Sequence, residues 1–190
     1  MHKFICISGC TASGKSSFAI ELSNYFENPV IINADALQVY DCWKILTDRP
    51  TEKKTMHDLY GHVSCTFYYS VGNWLKDVKN LFDLYSNNSK TFIFVGGTGL
   101  YFNALLNGLS QIPRTPEEIR DFANSCDLSF FLKGLNINDP DILEKIDIKN
   151  RQRVQRAWEV LEATGKSILY WQSKNTVSYT HLTLPTRTRV

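Results

Sequence analysis

The stretch Gly9-Cys10-Thr11-Ala12-Ser13-Gly14-Lys15-Ser16 follows the pattern G-x-x-x-x-G-K-[ST] of a phosphate-binding loop. It constrains the fold more than any other part of the chain. Phe4-Ile5-Cys6-Ile7 before it is a short apolar run of strand type, and Ser17 to Leu22 after it opens a helical pattern. Glycines let such a loop curl so that successive backbone N–H groups face an anion. The following helix adds free N–H groups and the positive end of its dipole. Lys15 supplies a cation and Ser16 a hydroxyl suited to Mg²⁺. The pattern therefore asks for a strand, a tight turn and a helix in that order, and for a phosphate held between them.

The rest of the chain extends this unit. Asn28-Pro29 ends the first helix, which spans about residues 16–26 with Phe18, Leu22 and Tyr25 or Phe26 on one face. Val30-Ile31-Ile32 is a second strand ending at Asn33-Ala34-Asp35. A strand, loop, helix and strand within some thirty residues make a βαβ unit and hence a parallel sheet. Residues 36–60 carry a weaker pattern, and Tyr60-Gly61-His62-Val63 reads as a further short strand. Ser70 is placed to cap an amphipathic helix running to about Tyr85. Thr91-Phe92-Ile93-Phe94-Val95 is the strongest strand, followed by Gly96-Gly97-Thr98-Gly99 and another helix. After the linker at 112–116, Thr115 and Glu118 form a capping-box pattern with Pro116 at the first helical position. Helices are expected over 116–124, 128–135, 139–146 and 150–163, the last ending at Gly165.

The expected architecture is an α/β fold, a P-loop NTPase-like parallel sheet flanked by helices with a small helical insert. Residues 1–113 and 149–174 would form the core and 114–148 the insert. Residues 175–190 read as a foreign or disordered tail, rich in threonine and without acids. Its Arg187 and Arg189 account for the whole net charge of +2. No global basic field therefore announces nucleic acid. Hydrophobic content of 43% suffices for a core. The five cysteines show no C-x-x-C pair and are odd in number, which argues against a zinc site or a disulfide framework and for free thiols. No charged-then-apolar leader precedes Phe4 and no apolar run approaches membrane-spanning length, so a soluble cytoplasmic protein without a membrane partner is expected.

Strand ends of a parallel sheet converge on the ligand crevice. The phosphate loop, Asp35 and Thr98 should therefore meet. Asp35 could act as a general base, help hold Mg²⁺, or simply be a helix N-cap before Ala36-Leu37. His57 and His62 suit structural or surface roles. Lys149, Arg151, Arg153 and Arg156 form a basic cluster at a helix start. It could be a solvated face or a contact for a phosphate backbone, although Arg151 and Arg153 cannot share one face with all the others.

These segments together resemble the tRNA dimethylallyltransferases, also called tRNA isopentenyltransferases. The matching words are Gly9 to Ser16, Asn33-Ala34-Asp35-Ala36-Leu37-Gln38-Val39-Tyr40, His57 to His62, Tyr69-Ser70-Val71, Val95 to Tyr101, Ala104 to Leu109, Arg153-Val154-Gln155-Arg156-Ala157-Trp158-Glu159-Val160, and Thr164-Gly165-Lys166. Their order and rough spacing fit over residues 4–172. The resemblance implies transfer of the dimethylallyl group of dimethylallyl diphosphate to N6 of an adenosine beside the tRNA anticodon. Gly9, Cys10, Thr11, Ala12, Ser13, Gly14, Lys15 and Ser16 would bind the leaving diphosphate, with Mg²⁺ on Ser16. Asp35, Thr98 and Lys15 would be catalytic. Asp35, Ala36, Leu37, Gln38, Thr98, Arg120, Gln152, Arg153, Val154, Gln155 and Arg156 match tRNA-contact positions. The partners implied are a tRNA anticodon stem-loop and dimethylallyl diphosphate, with the protein a monomer. Cys10 stands where the family usually has proline, and Ala36 where it has serine. Family members are longer and carry further tRNA-binding surface in a C-terminal part, so this chain would hold the active-site half. Two other readings remain open at this stage: an ATP-dependent small-molecule kinase using the same loop, and a fragment that binds diphosphate or RNA without catalysis.

Overall fold

The computed structural model describes residues 3–47, 49, 56–85 and 89–174. The expected tail at 175–190 lies outside the described residues. Those described fall into two compact units, one ending at Gly108 and one beginning at Leu109.

The first unit holds a sheet of four parallel strands, β1 (Lys3–Ser8), β2 (Pro29–Asn33), β3 (Met56–Asp58) and β4 (Thr91–Gly96), in the order β1-β4-β2-β3. β4 lies between β1 and β2 and is buried throughout, as its unbroken apolar run requires. Helix α1 (Lys15–Ser23) follows the phosphate loop, α2 (Val71–Leu84) precedes β4, and α3 (Gly99–Asn107) follows it. Ser70 caps α2 as expected, its hydroxyl accepting the Asn73 N–H at 3.2 Å. Trp74 of α2 is fully buried and stacks on Tyr101 of α3 with ring centroids 4.6 Å apart. Its indole N–H donates to the Asn33 carbonyl at 2.8 Å, which fixes the C-terminal end of β2. Burial of an indole of this size contributes about 3–5 kcal/mol against its truncation to alanine.

Three local expectations change. α1 turns Ala19 and Ser23 inward, while Phe18 and Tyr25 are exposed. Of the aromatic alternatives Tyr25 and Phe26, it is Phe26 that packs against the cluster of Ala19, Ile31, Ile93 and Val95. The third strand is Met56–Asp58 rather than the Tyr60–Val63 stretch, which contributes one isolated parallel bridge from Val63 to Tyr40. That bridge sets Cys42 and Cys65 side by side, and they are paired as a disulfide with Cα atoms 6.2 Å apart. The expectation of free thiols thus holds for Cys6, Cys10 and Cys126 and fails for this pair.

The second unit is helical: α4 (Glu117–Ser125), α5 (Leu128–Asn138), α6 (Pro140–Leu143), α7 (Arg151–Thr164) and α8 (Ile168–Ser173). Its core gathers Ala123, Phe131, Leu135, Ile142, Val154, Ala157, Trp158, Val160 and Ile168. Residues 149–174 were expected to complete the α/β core. Instead α7 packs on α4 and α5, and α8 on α7, because Val154, Ala157 and Trp158 supply the apolar side that α4 and α5 need. The capping box at Thr115 is also replaced. α4 begins at Glu117 with no side-chain cap, and the Thr115 hydroxyl accepts from Arg156 Nη1 at 2.6 Å.

Candidate functional site

The phosphate loop leaves β1 and closes on α1 through two left-handed residues, Ala12 (φ 60°) and Gly14 (φ 80°). The curl therefore uses an alanine as well as a glycine. At Gly14 the absence of a Cβ makes the conformation cheap. Gly14 also accepts the Phe18 N–H at 3.0 Å and starts the helix. The remaining N–H groups of the first turn stay available to an anion. Lys15 Nζ folds back over the loop, donating to the Cys10 carbonyl and approaching Ser13 Oγ at 3.3 Å. Ser16 is the second residue of α1 and half-buried beside it.

β2 delivers Asp35 through a fully buried asparagine. Asn33 Oδ1 accepts the Asp35 N–H at 2.9 Å, and Asn33 Nδ2 donates to the carbonyls of Asp35 (3.0 Å) and Leu59 (3.1 Å). Asp35 Oδ1 accepts the Leu37 N–H at 2.9 Å, capping a turn over residues 36–39 where a helix N-cap was the expectation. The other oxygen, Oδ2, lies beside Gly97. A methyl group placed on Gly97 would lie 3.6 Å from Asp35 Oδ2 and 3.5 Å from the Gly9 carbonyl oxygen. Gly97 thus sits between the first residue of the phosphate loop and the free side of the carboxylate.

β4 delivers Thr98. Its hydroxyl accepts the Ala36 N–H at 2.9 Å, and its own N–H donates to the Ala34 carbonyl at 3.3 Å. Gly96 allows this contact, since a methyl group there would collide with the Ala34 carbonyl and the Asp35 backbone. Leu37 is exposed, and Gln38 donates through Nε2 to the Thr47 carbonyl at 2.8 Å. The first unit therefore brings the phosphate loop, Asp35 and Thr98 together at the C-terminal ends of β1, β2 and β4. Tyr60 and Tyr101 lie close enough to Asp35 to feel its charge. Burial first and that carboxylate second push the Tyr60 phenol upward. Burial, then Tyr40, Asp35 and Tyr68, push the Tyr101 phenol up to about 12.

The other expected contact residues lie in the second unit. Val154 is wholly buried and Gln155 nearly so, which leaves Gln152, Arg153 and the guanidinium of Arg156 as the solvent-facing members of that segment. Arg151 holds helix ends together, donating to the carbonyls of Ala123, Asn124 and Cys126. Arg120 and Arg156 both approach the buried Glu159. His62 pairs with Tyr69 and Asp77, in keeping with a structural role. Asn33 and Glu159 stand in the segments that carry the resemblance, but no site role was expected of either. A signal existed for Asn33, because an amide closing a Val-Ile-Ile strand must find partners once buried.

A glycine loop between a parallel strand and a helix, with a carboxylate two strands away at the end of β2, defines an α/β protein of the P-loop class. The comparisons narrow it. The IPP transferase family model matches residues 38–189. The tRNA dimethylallyltransferase of Ruegeria sp. (strain TM1040) is 47% identical over 171 residues, covering 88% of this chain and 57% of that protein. The tRNA dimethylallyltransferase of Bartonella tribocorum is 46% identical over 188 residues, covering 95% and 63%. Among solved structures, a eukaryotic dimethylallyltransferase acting on tRNA superposes with a TM-score of 0.73 at 26% identity, over 93% of this chain and 46% of that one. The tRNA isopentenylpyrophosphate transferase of Bacillus halodurans superposes with a TM-score of 0.53 at 28% identity, over 86% and 56%. The chain belongs to the IPP transferase family. It spans roughly three fifths of the length of the curated relatives it matches.

Proposed function

We propose that this chain carries the catalytic half of a dimethylallyl transfer from dimethylallyl diphosphate to N6 of an adenosine beside the tRNA anticodon. The observation that carries the reading is Asp35 Oδ2, which lies beside Gly97, the residue that also borders the Gly9 carbonyl, while Oδ1 is engaged by Leu37. A loop for diphosphate at the end of β1 and a carboxylate oxygen at the end of β2, with β4 between the two strands, are what an alkyl transfer with proton removal needs.

The diphosphate of the donor lies against the N–H groups of residues 9–16, with Lys15 Nζ offsetting its charge. As the allylic C–O bond breaks, the electron pair goes to the diphosphate oxygen, and the loop and Lys15 stabilise the growing negative charge. The adenine N6 lone pair forms the new N–C bond. Asp35 Oδ2 takes one N6 proton, so the amine ends neutral. The adenine must leave its stack to reach this point. Thr98 acts through the backbone, holding Ala36 and hence the Asp35 turn in place.

Hard oxygen donors suit Mg²⁺, and the Ser16 hydroxyl and the diphosphate oxygens would hold it, adding positive charge beside the leaving group. Asp35 to Gln38, Thr98, Arg120, Gln152, Arg153 and Arg156 contact the tRNA in this reading, and the protein works as a cytoplasmic monomer. Among the described residues no helix is long and apolar enough to cross a membrane.

The test is transfer of labelled dimethylallyl from its diphosphate to an anticodon stem-loop RNA, for the chain and for Asp35→Asn. Transfer by the chain, reduced at least about a hundredfold in the variant with diphosphate binding kept, is the expected result. Undiminished transfer by Asp35→Asn overturns the mechanism. ATP turnover with a small acceptor and no prenyl transfer overturns the function.

A further inference from the structure

Glu159 is buried on α7, with its side chain 6% exposed, and its two oxygens are used differently. Oε1 accepts from Gln155 Nε2 at 2.9 Å. Oε2 faces two guanidinium groups, Arg156 Nη1 at 3.6 Å from the same helix and Arg120 Nη2 at 3.9 Å from α4. The arginine side chains are 36% and 43% exposed, so their charges reach solvent while their common anchor does not. Arg156 is held a second time by Thr115 Oγ1, at 2.6 Å. Gln155 is fixed from both ends, receiving Arg151 Nη1 at 2.8 Å and donating to Asn124 Oδ1 at 3.0 Å.

A carboxylate withdrawn from water is costly unless charge and hydrogen bonds offset it. Here one carboxylate meets two cations. Glu159 draws both guanidinium groups to one buried oxygen, and each guanidinium side chain stays part-exposed. We infer that Glu159 is a positioning residue, which holds Arg120 and Arg156 as a preorganised fork for a backbone phosphate of the RNA substrate. The inference rests on the proposed reading of these two arginines as tRNA contacts and adds the group that sets their geometry. Glu159 itself touches no RNA.

The sign of one substitution separates positioning from bulk charge. Glu159→Gln removes a negative charge, so simple electrostatics demands tighter RNA binding. Loss of the fork demands weaker binding, because both side chains must then be ordered when RNA arrives. That cost is set by the freedom of two long side chains, and the expected loss of affinity is about three- to tenfold.

The experiment measures binding of an anticodon stem-loop RNA to the chain, to Glu159→Gln, to Arg120→Met/Arg156→Met, and to the triple variant, across a series of salt concentrations. The NMR signals of the arginine Nε–H groups are followed alongside, without RNA. Glu159→Gln is expected to weaken binding in the wild-type background and to have no effect in the double-methionine background. The double-methionine variant is expected to lower the salt slope by about 1 to 2 units. In Glu159→Gln the Arg120 and Arg156 Nε–H signals should shift away from their wild-type positions, and Glu159→Asp should restore part of the affinity. Unchanged or tighter binding by Glu159→Gln overturns the proposal, as does an equal loss in both backgrounds, which would mark a merely structural carboxylate. Wild-type arginine signals in Glu159→Gln overturn it without reference to RNA. If the chain transfers dimethylallyl to RNA while Glu159→Gln binds normally, the positioning role fails and the proposed function stands. If wild type binds no RNA, the proposed function fails and the role of the fork with it.

Discussion

The hydroxyl of Thr98 accepts the backbone N–H of Ala36 across the ends of two adjacent strands, at 2.9 Å. This bond joins the turn after β4 to the turn that carries Asp35. Thr98→Val keeps the shape and removes the acceptor, leaving a partly buried N–H without a partner. The expected cost is about 1–3 kcal/mol, visible as a lower urea midpoint at unchanged slope. Thr98→Ser keeps the oxygen and should lie near wild type. If valine and serine variants unfold together, the bond contributes nothing to the turn.

Two neighbouring glycines should respond in opposite ways. A methyl group at Gly96 would meet the Ala34 carbonyl and the Asp35 N, which are backbone atoms that cannot swing aside. Gly96→Ala should therefore destabilise the protein by about 3 kcal/mol or more and displace Asp35. Gly99 opens α3 with nothing within 4 Å of an added methyl. Gly99→Ala should be neutral or stabilising by up to about 1 kcal/mol, since alanine loses less backbone freedom on folding. Thermal or urea unfolding of the pair checks both signs together, and equal losses would show that the close approach at Gly96 is not the cause.

The sequence carried those features whose cause is local. The phosphate loop, the Ser70 cap and the buried β4 all follow from residues a few positions apart, and each formed as read. The misreadings share a cause in long-range contact. Thr115 looks like a helix cap until Arg156, 41 residues on, takes its hydroxyl. Phe18 looks inward-facing until Ala19, with Ile20 and Phe26 beside it, takes the place against the sheet. Helix α7 looks like part of the α/β core until α4 and α5 claim its apolar side. Asp35 was legible as a cap, and its Oδ1 does hold the Leu37 N–H, but in a turn instead of at a helix start.

The Cys42–Cys65 disulfide is another long-range pairing, 23 residues apart, and it makes a countable prediction. Thiol titration of the unfolded chain without reductant should find three reactive groups, from Cys6, Cys10 and Cys126, and five after reduction. Closing a loop of this length restricts the unfolded chain, so reduction should lower stability by roughly 3 kcal/mol. Cys65→Ser should behave like the reduced protein and lose its sensitivity to reductant. Five thiols before reduction would remove the cross-link from the account.

Tyr101 supplies a pH signature for the wall around Asp35. Its phenol is 3% exposed against Trp74, and burial, with Tyr40, Asp35 and Tyr68 adding to it, pushes its pKa from 10.0 up to about 12. In the unfolded chain the same phenol ionises near its ordinary value. Between pH 10 and 12 the folded state therefore keeps a proton that the unfolded state has lost. The stabilisation is complete below pH 10 and is lost as pH rises toward 12, at on the order of 1 kcal/mol per pH unit. Tyr60 and Tyr69 are pushed in the same direction, so the wild-type slope alone does not isolate Tyr101. Tyr101→Phe does. Urea unfolding from pH 9 to 11.5 should show the variant losing stability less steeply than wild type, and absorbance at the phenolate band should show one fewer late-titrating tyrosine. Parallel stability curves would mean that the Tyr101 phenol is open to water, and the packing of α3 against Trp74 would then be looser than the structure draws it.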